Sequence, residues 1–282
     1  MKSIRKVALA AGAAFVAVTP AFANHSWGPY HWASNGKGVD LTVNLAITSQ
    51  WNASVNGGIA DWEQSKKLSF SSRTATLADN GRKLCRPIAG ELIVCNAAYG
   101  QRGWLGIATI WISGVHITQA TTQLNDTYFE WARYNTPAWR SLVACQEIAH
   151  DFGLDHQDEN FSNYNLGSCM DYTSAPAGGV YNGFDYGPSN EHPNDHDYEQ
   201  ITTIYSHDDG TAAAATNFGV REVGKPAPLA MDNSPPGLSP SEWGRAVGYD
   251  ARGRPDTFEK TLAPGQKRLT HVFWLPDSKA SR

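Results

Sequence analysis

Cysteine and methionine are scarce in this 282-residue chain, with four and three copies, and no internal repeat is found. No Cys-x-x-Cys pair occurs among Cys85, Cys95, Cys145 and Cys169, which argues against a zinc site built from thiolates. Beyond residue 23 no stretch is apolar enough to cross a bilayer. The 23 Lys and Arg against 27 Asp and Glu leave a formal charge of −4, so the basic footprint needed for nucleic acid is missing too.

What is present begins at the N-terminus. Lys2, Arg5 and Lys6 precede an apolar run from Val7 to Val18, then Pro20 and Ala21-Phe22-Ala23. This reads as a secretory signal peptide cleaved after Ala23; a membrane anchor is the competing reading, but the run is short for a span. Cleavage leaves about 259 residues, 282 less 23, and takes the charge to about −7 because three cations and no acid depart. An exported monomer, extracellular or periplasmic, is expected. Four cysteines there suggest two disulfides, with three possible connectivities. Cys85–Cys95, closing a short loop through Pro87 and Gly90, and Cys145–Cys169 are preferred.

Thr136-Pro137 is a good helix start, a capping hydroxyl followed by proline at the first helical position. Trp139, Leu142, Val143, Gln146 and His150 then form one stripe, and Cys145, Ile148 and Phe152 another, so this helix should be buried. Gln146 and His150 are four apart and share a side of it. Glu147 is rotated by about 100° from Gln146 and about 60° from His150, close enough to face the same cleft. Gly153 permits a turn that returns His156. Hydrogen-bonded core residues would be the plain interpretation of an isolated Gln-x-x-x-His pair. Strands are expected over Trp104–Ser113 and His116–Leu124, loop over 158–192, and a helix over 196–205 with Tyr198, Ile201, Ile204 and Tyr205 on one face.

Gln146 to His156 matches the zinc signature His-Glu-x-x-His-x-x-Gly-x-x-His at every fixed position but the first, where Gln146 replaces histidine. Cys169-Met170-Asp171-Tyr172 resembles the Met-turn of metzincin metalloproteases, in the form where tyrosine approaches the metal. Leu41–Ile47 with Trp51, Val55, Ile59 and Trp62 resembles the first strand and helix of a matrixin, and 106–126 its cleft-edge region. The resemblance covers roughly 39–208, metzincin first and matrixin-like second. It implies an α+β fold: a mixed, twisted β-sheet, an active-site helix, a Met-turn and a C-terminal helix. Around that domain the sequence places a short segment 24–38, a linker 209–240 and a small β-rich extension 241–282, whose role is not readable.

The same resemblance implies a zinc-dependent endopeptidase acting on extended polypeptide, with Gln146, His150 and His156 on Zn2+, Glu147 as general base and Tyr172 at the metal or the developing oxyanion. Amide oxygen is a weaker donor to zinc than imidazole. The alternative is therefore a catalytically silent protein of the same fold that binds extended peptides. Segment 24–38 has no Cys, which argues against latency through a cysteine. Asp158 is a candidate acceptor for a ligand imidazole. His116 falls where matrixins hold a structural metal, but without a matching ligand set it reads as an ordinary satisfied histidine.

Overall fold

The computed structural model describes residues 25–210 and 232–276. The expected signal peptide and most of the expected linker lie outside them. The fold is mixed α+β, built on one mixed sheet with few helices.

Its first half is parallel. Strands β1 (His31–Trp32), β2 (Val39–Ala46), β3 (Leu68–Thr74), β4 (Leu92–Ala97), β5 (Trp104–Ser113) and β6 (His116–Asn125) assemble in the order β3-β2-β4-β6-β5, with β1 paired in parallel to β6. Only the β5–β6 hairpin is antiparallel within this half. Central position explains composition: Leu-Ile-Val-Cys-Asn-Ala of β4 is buried at every residue, as a strand covered on both faces must be.

Helix α1 (Asn52–Trp62) packs against the long helix α4 (Pro137–His150), which lies on β5 and β6. Thr136 caps α4, its hydroxyl accepting from the Trp139 amide at 3.2 Å. Gly58 lets the two helices approach closely, since a Cβ there would lie 3.4 Å from Cys145 Cα, and Trp62 Nε1 donates to Cys145 O at 3.1 Å. Two short helices, α2 (Asp79–Leu84) and α3 (Asp126–Phe129), follow β3 and β6. Helix α5 (Asp195–Ile204) starts with a reciprocal cap between Asn194 and Asp197. Both disulfides form as expected: Cys85–Cys95, and Cys145–Cys169 joining α4 to the loop that carries Met170.

The C-terminal residues do not stand apart. After the small hairpin β7–β8 (Val180–Tyr181, Phe184–Asp185), strands β9 (Arg245–Tyr249), β10 (Pro255–Ala263) and β11 (Gln266–Trp274) form an antiparallel meander that continues the main sheet. β11 runs antiparallel along β5, from Gln266 opposite Ser113 to Trp274 opposite Trp104. β5 is thus hydrogen-bonded along both edges. Among the described residues no helix is long and apolar enough to cross a membrane.

Candidate metal centre

Helix α4 delivers Gln146, Glu147 and His150 to the interior, all with no measurable exposure. The chain then turns at Gly153, whose φ of +95° and whose distance of 2.4 Å from a built Cβ to Tyr30 O leave room only for glycine. His156 returns with its Nε2 3.1 Å from His150 Nε2. Sequence reasoning placed these two imidazoles together, and the structure does bring them together.

Their outer nitrogens fix their chemistry. His150 Nδ1 donates to Leu154 O at 2.8 Å, and burial, with the neighbouring His271 and His156, holds this ring well below the usual histidine range. A neutral ring with its proton on Nδ1 presents a lone pair at Nε2. His156 Nδ1 faces Glu159 Oε1 at 3.2 Å; burial opposes its protonation, but Glu159 and Asp155 hold it above the usual range. Asp158, the expected acceptor, is not that partner: its carboxylate caps the loop, accepting from Asn160 N at 2.6 Å and from Asn163 at 2.9 Å. A carboxylate one residue later has the reach to His156 that Asp158 spends on its own turn.

The third imidazole comes from β11. His271 is fully buried, its ring centroid 4.2 Å from that of His150 and 4.6 Å from that of His156. One nitrogen from each of His150, His156 and His271 lies within 4.8 Å of the others. His271 also joins the two expected catalytic groups, with Nδ1 3.1 Å from Glu147 Oε2 and Nε2 2.7 Å from the Tyr172 hydroxyl. That hydroxyl reaches Asp256 Oδ2 of β10 at 3.2 Å. Nothing local in the sequence marks His271 or Asp256; a lone histidine in the apolar run Leu269–Trp274 is the only trace.

Gln146 is held differently from the histidines. Its Nε2 donates to Cys169 O at 2.7 Å, bracing the loop that carries Met170, while Oε1 is buried without a hydrogen-bond partner among the described residues. Glu147 sits against β5 only because position 106 is glycine, since a Cβ there would come within 2.7 Å of Glu147 Cγ. Burial pushes its carboxyl well above the ordinary range, although His156 and the Ala108 backbone oppose this. Trp27, from the N-terminal segment, stacks on His150 at 4.7 Å with the rings nearly parallel, so that segment closes the centre on one side and β11 on another. A cavity of about 640 Å³ opens between the first turn of α4 and residues 174–178, lined by Pro137, Trp139, Ala175, Pro176 and Val180 among others.

The donor set fits zinc: three buried imidazoles, His150 and His156 with their far nitrogens engaged by a carbonyl and a carboxylate, and His271, which would exchange one of its two bonds, to Glu147 or to Tyr172, for the metal. Two Nε2 lone pairs 3.1 Å apart repel unless a proton or a cation lies between them. No family model and no curated protein matches the chain. Among solved structures, that of Myroilysin is similar at 14% identity and a TM-score of 0.35, covering 64% of this chain and 86% of that one.

Proposed function

We propose that the protein is an exported zinc-dependent endopeptidase of the metzincin type, matrixin-like over roughly residues 39–208, with His150, His156 and His271 as the metal ligands. What carries this function is the convergence of three buried imidazoles, one of which, His271, also meets the motif glutamate. Bound there, zinc supplies Lewis acidity toward water and toward a peptide carbonyl. Glu147 is placed to take a proton from water and return it to the leaving amine, and a cation among the imidazoles is what would restore its carboxylate form inside this dry pocket. Tyr172 offers a hydroxyl for the developing oxyanion, a contribution commonly worth about 3 kcal/mol. Gln146 then serves through its bond to Cys169 O, positioning the Met-turn rather than filling the shell. The substrate is extended polypeptide, one side chain of which enters the cavity beside α4.

A second function, a catalytically silent protein of the same fold that binds extended peptides, is favoured by one observation: Glu147 and the three imidazoles are all buried. The two separate in one experiment. Purified protein should hold zinc and cleave unfolded casein, with cleavage lost on chelation and in Glu147→Ala. Zinc binding with no cleavage under any condition would favour the silent protein, and no zinc at the His150, His156 and His271 positions would overturn the proposed centre.

A further inference from the structure

Four residues remote in sequence meet at the start of β1. His31 lies on β1, His116 opens β6, and His207 and Asp209 follow α5. His31 Nδ1 donates to Pro29 O at 2.6 Å, so the neutral ring carries its lone pair on Nε2. That nitrogen is 2.9 Å from His207 Nε2 and 3.2 and 3.3 Å from the two Asp209 oxygens. His207 Nε2 is 3.0 Å from Asp209 Oδ1, and His116 Nε2 approaches the same oxygen at 3.3 Å. Asp209 is itself oriented by the Ser34 amide, which donates to Oδ2 at 2.8 Å.

Hydrogen bonding alone satisfies this arrangement poorly. With neutral rings, His31 brings no proton to the junction, and the single proton of His207 serves either His31 or Asp209. One ion at the junction serves all of them. Nitrogen and oxygen ligands about 2.0–2.1 Å from a tetrahedral zinc stand roughly 3.3 Å from one another, close to the spacings found here. His31, His207 and Asp209 each offer a donor atom within 4.8 Å of the other two.

We infer that His31, His207 and Asp209, with His116 alongside, form a second metal site for a zinc-like divalent cation. Imidazole nitrogen with one carboxylate suits zinc or cobalt and not calcium. His207 is 47% exposed, so the ion has a path from solvent. Its role is a clip: Asp209 N donates to Ser34 O at 2.9 Å, and Asn35 bridges Asp208. An ion there fastens the N-terminal segment, which carries Trp27 over His150, to the end of α5.

The test is a zinc count on the full chain, stripped by chelator and retitrated with zinc alone, in native protein and in His207→Ala, Asp209→Asn and His150→Ala, each checked for native circular dichroism. Two equivalents in the native protein, one in each variant, and a cobalt form of Asp209→Asn that loses part of the tetrahedral absorption would support the inference. An unchanged count in both His207→Ala and Asp209→Asn would overturn it. Asp209→Asn, nearly isosteric, guards against misfolding. One native equivalent lost in His207→Ala but kept in His150→Ala would uphold the clip and sink the proposed catalytic centre. One lost only in His150→Ala would do the reverse, and no bound zinc would sink both.

Discussion

The three-imidazole centre and the cluster around Asp209 use the same side chain in opposite electrical settings. At the centre, acids are pushed up: burial raises Glu147 well above its usual range and Asp171, in the loop after Met170, to about 7. At the outer cluster, burial is outweighed by the Ser34 amide and the His116 and His31 rings, and Asp209 is held down at about 2. A dry site thus makes its carboxylate wait for a cation, whereas a site open to solvent only at His207 keeps its carboxylate ionised through its hydrogen bonds and ready as a ligand. One arrangement suits a base used during a reaction, the other a permanent anchor.

The contrast breaks most easily at His271. His271→Ala should weaken zinc at the centre by more than 100-fold, since changes beside a ligand already cost about 10–100-fold. It also strips a partner from both Glu147 and Tyr172, at a cost of about 1–3 kcal/mol. His207→Ala should cost less, about 0.5–1 kcal/mol in chelator, because it removes one half-exposed ring and its contact with Asp209. Urea unfolding of both variants in chelator checks this, and equal losses would erase the distinction between dry and wet sites.

Gly106→Ala probes the inner site without touching a ligand. The added methyl meets Glu147 Cγ at 2.7 Å and Val143 Cγ1 at 2.8 Å, so overpacking should cost roughly 1–3 kcal/mol and displace the glutamate. Cleavage should fall with zinc content unchanged. Retained cleavage would show that Glu147 is not held in place by the glycine gap.

Asp171 sharpens the electrical half of the comparison. Its carboxyl accepts from Leu166 N and Asn190 Nδ2, each at 2.8 Å, yet burial still raises it to about 7. Because the folded value lies above the unfolded 3.8, the native state keeps a proton that the unfolded state releases between those pH values. Stability from this group is therefore complete below about pH 4 and falls as pH rises toward 7, by roughly 1–2 kcal/mol after relaxation. Asp171→Asn should remove that slope from urea midpoints measured at pH 4.5 and 7.5. An identical slope in the variant would mean the buried carboxyl titrates normally.

Much of the inner site was legible because its parts are close in sequence. Spacing places Glu147 and His150 on α4, Gly153 marks the turn, and two cysteines flanking Gln146 and Met170 point to the disulfide that joins them. The strands over Trp104–Ser113 and His116–Leu124 and the helix near 196–205 also follow from periodicity. His271 was not legible because it is brought in by sheet pairing of β11 to β5, a contact that local pattern does not encode. His31 likewise meets His116 through β1–β6 pairing, whereas His207 and Asp209 arrive on the segment after α5. His116 alone drew notice in the sequence, and its neighbours became visible only once β1 lay beside β6. Glu159 over Asp158 was a choice of one residue, decided by which carboxylate the loop needed as a cap.

The smallest effect expected is at Gln146. If His271 is the third ligand, Gln146→His leaves the shell complete without it, and zinc affinity should move by less than about threefold, well inside the 10–100-fold range of changes that disturb a ligand. The new ring can still donate toward Cys169 O, where the native amide now bonds at 2.7 Å, so stability should move little. The buried Oε1 without a partner makes the opposite result meaningful. Tightening by about tenfold or more would show that position 146 faces the metal, as the motif alone implies, and that His271 stands beside the shell as a partner of Glu147 and Tyr172. Zinc titrations of Gln146→His, His271→Ala and the double variant, run side by side, decide between them: additive losses and gains would place both side chains on the ion, whereas rescue of His271→Ala by Gln146→His would show one position standing in for the other.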